Sequence, residues 1–181
     1  MRRAVSLVIG VLLLSCGTAL AQDKGDVSGG YRYLRSEGES IKKGFYFDVT
    51  GHVTDMFSIV GEVGGSYLSD SETFGGVTAE ATGKIHTFAA GVKLRASKVS
   101  PNAVPFGQIL FGGGRASVEA KVAGVTLLDE SSSDPIMHLS GGVDVSGGGP
   151  IGVRVQVGWL RVFEDDASNI FTFSVGAKVG F

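Results

Sequence analysis

Between Ile170 and Phe181 the chain alternates with a period of two. Phe171, Phe173, Val175, Ala177, Val179 and Phe181 are apolar, and Thr172, Ser174, Gly176, Lys178 and Gly180 between them are polar or small. Successive side chains leave a pleated strand on opposite faces, so this spacing specifies a strand with one greasy and one polar surface. It ends on an aromatic residue, where a soluble domain usually frays into a polar tail.

The same period returns over 27–35, 44–54, 57–68, 84–95, 104–119, 136–145 and 152–163, so the sequence predicts eight strands and an all-β chain. On one face stand Tyr31 and Tyr33, Phe45 and Phe47, Phe57 and Ile59, Phe88 and Val92, and Val157 and Trp159. The other face is mostly Gly, Ser and Thr with isolated charges. The segment 104–119 alternates least clearly, because Gln108 shares its face with Phe106 and Leu110; Gly112-Gly113-Gly114 is expected to let the phase slip or the strand bend. Polar connections are expected at 36–43, 69–82 and 120–134, with Ala123-Gly124 as a site where the last of these folds into a hairpin. Tight turns are expected at Asp55-Met56 and Ser146–Pro150.

The terminal strand resembles the C-terminal β-signal of bacterial outer-membrane barrels. That signal has a polar residue, Gly two further on, then two hydrophobic positions one residue apart, here Ser174, Gly176, Val179 and Phe181. The resemblance implies that the barrel-assembly machinery reads this motif during insertion and that the last strand pairs with the first. With connections that alternate long and short, the mature chain resembles the small eight-stranded outer-membrane barrels of the OmpA/OmpX type, an antiparallel up-and-down transmembrane β-barrel with both ends on the periplasmic side.

Export fits that destination. Met1 to Ala21 carries Arg2 and Arg3, an apolar core from Ala4 to Leu14, and a small-x-small site at Ala19-Leu20-Ala21. It reads as a cleaved signal peptide over 1–21, leaving 22–181 as the barrel domain. Leu13-Leu14-Ser15-Cys16 offers a rival, lipoprotein-like processing site. Cleavage after Ala21 would remove the only cysteine, so disulfides cannot hold the exported domain together. It would also remove two arginines and make the net charge more negative than the −2 of the whole chain, which argues against a nucleic-acid partner. The 29 glycines, without a collagen period, fit the bends and close approaches of a closed barrel.

Which face is greasy decides the solvent. Phe45, Phe47, Phe57, Phe88, Trp159, Phe171 and Phe173 are together too bulky for the interior of an eight-stranded barrel, so they are expected to face lipid. The lumen would then hold Arg32, Lys93, Arg95, Arg154 and Lys178 against Asp48, Glu62 and Asp144, arranged as ion pairs that plug it. Tyr31, Tyr33, Tyr67, Trp159 and Phe181 are candidates for the interfacial aromatic girdles.

Chemistry is sparse. His138-Leu139-Ser140 resembles the His-x-Ser of barrel lipid A deacylases, yet Gly141 stands where their Asn would be, and strand parity turns both side chains inward as a hydrogen-bonded pair. His52, His86 and His138 lie on different strands, with His86 facing away from the other two, so no metal site or cofactor is expected. Asp129-Glu130 and Glu164-Asp165-Asp166 are loop acids, while Lys42, Lys43 and Arg161 are candidates for lipopolysaccharide phosphates. The functional expectation is a monomeric, non-enzymatic outer-membrane barrel with a structural or surface-interaction role, in contact with membrane lipid and lipopolysaccharide. A narrow pore and a deacylase are the alternatives.

Overall fold

The structure is a computed structural model describing residues 24–36, 39–74, 77–97, 100, 102–122, 125–163 and 168–181. The expected signal peptide, the rival site at Cys16 and the acidic triplet Glu164–Asp166 lie outside the described residues. The strands are β1 (Gly25–Ser36), β2 (Glu39–Ile41), β3 (Lys43–His52), β4 (Phe57–Phe74), β5 (Val77–Arg95), β6 (Ala103–Val122), β7 (Val125–Ser146), β8 (Ile151–Val162) and β9 (Ser168–Gly180). Each pairs antiparallel with the next around the wall, and β1 pairs with β9, closing the sheet.

β2 and β3 form a single stave interrupted at Lys42, so the barrel has eight staves. Across Lys42 the register against β1 shifts by one residue, from Leu34↔Ile41 to Tyr31↔Phe45. The freed Lys42 carbonyl accepts the Tyr31 hydroxyl proton. Part of the connection 36–43 is therefore strand, because the bulge lets pairing resume above it.

Alternation sets the two surfaces. Phe45, Phe47, Phe88, Val157, Phe171 and Phe173 all lie on the outside, with Phe88 63% exposed. Ser28, Asp48, Thr50, Glu62, Lys93, Arg154 and Ser174 on the other face are buried. A water-soluble barrel would reverse this. The outward belt suits a hydrocarbon layer, where closure satisfies the backbone groups of every wall strand.

The connection at 69–82 differs from the sequence expectation, whereas 120–134 pairs as the hairpin expected about positions 123–124. Pairing between β4 and β5 continues to Phe74↔Val77, and between β6 and β7 to Val122↔Val125. β3 pairs with β4 only as far as Tyr67, and β8 with β7 only as far as Ile136. Strands β4 to β7 therefore rise above the rim as a four-stranded flange over residues 68–74, 77–83, 116–122 and 125–135. Its Ser- and Thr-rich sequence reads as connection because its apolar positions, such as Val77, Ala79, Ala81 and Val118, are small or scattered, yet backbone pairing needs no bulky apolar face.

No phase slip occurs at the triple glycine. Gly112 pairs with Ala89, Gly113 with Phe88 and Gly114 with Thr87 in unbroken register, and the one shift between β6 and β7 falls at Ala120/Lys121. The glycines serve close approach instead. A Cβ on Gly112 would lie 1.9 Å from the Phe88 carbonyl oxygen, and one on Gly113 would strike the Phe88 ring at 2.6 Å.

At the end carrying the chain termini the turns are short. Thr54 Oγ1 accepts the amides of Met56 and Phe57, and Gly148 takes φ +88° in the turn at 147–150. Phe181 completes the seam, its carbonyl accepting the amides of Lys24 and Gly25 while its own amide donates to Gly25 O.

Val157 sits mid-strand on the lipid face and Val153 near the end of the same strand. Val157→Arg is expected to lower stability by about 2–4 kcal/mol and Val153→Arg by only about 0–1, measured by urea unfolding in lipid vesicles. Equal costs at the two depths would contradict the lipid-facing assignment.

Candidate functional site

The lumen is the site where the chain gathers its chemistry. Its lower layer, toward the termini, is centred on Arg154, which is fully buried. Asp144 is its direct neighbour across β7 and β8. Arg154 Nε and Nη2 donate to the two Asp144 oxygens at 2.7 and 2.9 Å. Nη2 also donates to Asp26 Oδ1 at 2.8 Å, and Nη1 to Asp48 at 2.7 Å and Ser28 Oγ at 3.0 Å. A guanidinium has five N–H groups in a fixed fork, and this cage supplies acceptors to all three nitrogens.

One cation cannot balance three carboxylates. Lys178 Nζ lies 3.2 Å from Asp144 and 3.8 Å from Asp26. Lys93 Nζ donates to Thr50 Oγ1 at 3.0 Å, and Thr50 stands 3.4 Å from Asp48 Oδ1. The Lys93 ammonium and the Arg154 guanidinium lie 4.9 and 5.1 Å from the centre of the Phe106 ring. An aromatic face thus replaces water for two buried cations.

The upper layer is a second, separate pair. Arg32 Nη1 and Nη2 grip the two Glu62 oxygens at 2.8 Å each, and Nε donates to Ser174 Oγ at 3.0 Å. His138 Nδ1 lies 3.1 Å from Glu62 Oε1, and Nε2 lies 3.1 Å from Thr172 Oγ1. The Arg32 guanidinium lies 5.2 Å from the centre of the Tyr46 ring, which is itself buried. Two glycines make room: a Cβ on Gly64 would come within 3.2 Å of Arg32 Nη1, and one on Gly158 within 2.8 Å of His138 Nε2.

The structure therefore brings Arg154, Asp48, Asp144 and Lys178 into one network and Arg32 with Glu62 into another. Lys93 joins the first through Thr50 and Phe106 rather than through a direct carboxylate contact. Arg95 stands apart, lining a cavity of about 100 Å³ near the termini with His52 and Lys178; among the described residues no carboxylate pairs with it. His138 and Ser140 both face inward, but they are not bonded to each other. His138 is held by Glu62 and Thr172, and Ser140 Oγ has no hydrogen-bond partner. The reason is reach: the imidazole extends across the lumen, where Glu62 offers a stronger acceptor than a hydroxyl on its own strand.

Asp26 and Tyr46 take part without standing out in the sequence. Asp26 precedes the first alternating residue counted, and its parity with Ser28 was the available signal. Tyr46 lies between Phe45 and Phe47 in a run of aromatics that hides which one turns inward. The β-signal residues divide by parity, with Ser174 on the lumen face and Val179 on the outside. Gly176 is the point where β9 lies against β1: a Cβ there would stand 2.3 Å from Gly29 O. Among the candidate girdle residues, Tyr67 stacks on Phe45 at 6.4 Å and meets His86 edge-on at 5.7 Å on the outer wall.

No protein-family model matches the sequence, and no curated protein sequence is significantly similar to it. Solved structures do share the fold. The attachment invasion locus protein Ail of Yersinia pestis, crystallised with the heparin analogue sucrose octasulfate, aligns with a TM-score of 0.60 at 17% identity, covering 87% of this chain and 99% of its own. Neisserial surface protein A aligns with a TM-score of 0.64 at 12% identity over 87% and 96%. The N-terminal barrel of Pseudomonas aeruginosa OprF gives 0.52 at 9% identity over 88% and 100%. The fold is thus that of small outer-membrane β-barrels.

Arg154→Met removes the cation that three buried carboxylates share and is expected to cost about 3–5 kcal/mol in vesicle unfolding. Arg32→Met alone is expected to cost a similar amount, whereas Arg32→Met with Glu62→Met recovers most of it. A double variant as unstable as the single one would show that the upper pair does not act as a unit.

Proposed function

Taking the chain as a membrane-spanning barrel of the outer-membrane type, we propose that it is a non-enzymatic bacterial outer-membrane protein. Its lumen is closed to ions, and its raised flange docks a partner at the cell surface. The flange carries the reading. It stands on the long-connection side, away from both termini, and spans about seven residues of strand beyond the rim, roughly 24 Å at the usual rise per residue. A lipid-embedded barrel needs no such extension for its own closure.

Charge narrows the partner. Against Lys121 the flange sequence sets Asp70, Glu72, Glu80, Glu119, Asp129, Glu130 and Asp134. An acidic segment favours a basic partner and speeds its encounter. The sulfated ligand of the Yersinia protein carries the opposite charge from the partner this flange would attract. Below it, Lys43 and Lys84, the cross-strand neighbours of Tyr67, are exposed on the outer wall, where they suit lipopolysaccharide phosphates at the interface. The terminal motif Ser174, Gly176, Val179 and Phe181 is proposed as the signal read by the barrel-assembly machinery.

Closure of the lumen rests on the cage around Arg154 and the grip of Arg32 on Glu62, which place large side chains across a narrow interior. A catalytic role has little support. His138 is engaged on both ring nitrogens, and Ser140, two residues away, makes no bond to it.

In planar bilayers the purified protein is expected to give no steady conductance, and Arg154→Ala with Phe106→Ala is expected to introduce steps. Steady open steps from the unaltered protein would overturn the closed lumen and favour a pore. Replacing 69–81 and 117–133 by tight turns is expected to preserve heat-modifiable gel mobility while abolishing surface attachment to a basic ligand such as polylysine. Unchanged attachment would remove the flange from the function.

A further inference from the structure

The side chains entering the lumen change character with height. Two residues above Arg32 stands Leu34, two beyond His138 stands Ile136, and above Thr172 stands Ile170; with Leu160 from β8 they form a buried aliphatic cluster. Ile41 and Val162 pack against it from β2 and β8. These residues enclose a cavity of about 270 Å³ in the mouth of the barrel at the flange end, completed by Ile85 of β5 and Ala116 of β6. The ion-paired layer of Arg32, Glu62, His138 and Thr172 lies below this aliphatic cluster and does not line the cavity.

This arrangement is unexpected for a wall that needs apolar residues only on its lipid side. The polar layers below are held by their own hydrogen bonds, and the aliphatic layer contributes nothing to them. Polar groups occur at the cavity's edge, where Ser36, Arg115, Asp134 and Ser168 surround the opening. Greasy walls and a hydrophilic rim match a molecule with an apolar body and one small polar end. The volume is near the lower limit of ligand pockets, about 300 Å³, so the guest is small. Water in such a space finds few hydrogen-bond partners, and apolar cavities of this kind take up apolar guests.

We propose that the mouth of the barrel is a binding site for a short single-chain aliphatic amphiphile, its chain among Leu34, Ile136, Leu160 and Ile170 and its head at the rim. The site is distinct from the flange surface and from the ion-paired layers. It requires neither a closed lumen nor a surface partner, so its test succeeds or fails separately from the conductance and attachment measurements.

Isoleucines supply the readout. Ile41, Ile85, Ile136 and Ile170 line the cavity, whereas Ile59 and Ile151 are exposed on the lipid face. The protein, labelled with ¹³C at isoleucine methyls and reconstituted in lipid nanodiscs, is titrated with 1-octanol. The four cavity methyls are expected to shift saturably, while Ile59 and Ile151 follow only the linear trend of alcohol partitioning into lipid. Ala116→Phe, which fills the cavity from β6, is expected to abolish saturation, its fold checked by heat-modifiable mobility.

Linear shifts common to all the methyls, no shift at the cavity methyls, or saturation that survives Ala116→Phe would each overturn the proposal. If Ala116→Phe does not fold, nuclear Overhauser contacts from octanol methylenes to Ile136 and Ile170 in the unaltered protein decide the matter. Their presence supports the site and their absence overturns it.

Discussion

The pairing of β1 with β9 is the contact on which everything else depends. Register runs without interruption from Asp26↔Gly180 to Arg35↔Phe171, and Phe181 locks the end through its backbone. A sheet left open in hydrocarbon would expose two edges of unpaired N–H and C=O groups, each costing several kcal/mol. Closing the ring removes that cost and commits every alternate side chain to one of two environments. Outside, bulk and greasiness are favourable; inside, space is short and water is scarce.

The inner surface solves its own problem by layers. Lone buried charges would be prohibitive, and apart from Arg95 the charged side chains entering the lumen settle into two groups with internal charge partners. Arg154 and Lys178 offset Asp26, Asp48 and Asp144, with Lys93 close by, and Arg32 offsets Glu62. Such networks contribute less net stability than their contacts suggest, because desolvation cancels much of the attraction. They do fix which side chains meet. Phe106 and Tyr46 belong to this design: aromatic faces toward Lys93, Arg154 and Arg32 let cations lie inside without further carboxylates. Glycines at 64 and 158 leave the space the long polar chains occupy.

Strand periodicity was legible because it repeats eight times and because one face is so bulky. Over the flange the alternation is weak for a physical reason: its apolar positions are mostly small or scattered, as in Val77, Ala79 and Ala81 between Thr78, Glu80 and Thr82, so no bulky face marks the strand. At β6 the opposite happened. Phe106 and Leu110 on the lumen face next to Ile109 and Phe111 on the lipid face erased the contrast, and the triple glycine beyond them suggested a slip that unbroken pairing does not contain. The charged residues of the lumen were visible one by one, since parity alone places Arg154 and Asp144 on the same side. Their partners were not. Asp48 and Glu62 are direct cross-strand neighbours in β3 and β4, yet one reaches down to Arg154 and the other up to Arg32.

By itself, then, the sequence determined the class of wall: a closed antiparallel barrel with greasy residues outward and ionic ones inward, because side-chain alternation is a local property of a strand. Only the tertiary structure decided which charges share a cage, how far the hairpins rise beyond the rim, and that an aliphatic chamber lies above the polar layers. Those depend on strand stagger around the ring, which brings together residues far apart in the chain and leaves no trace in any single segment.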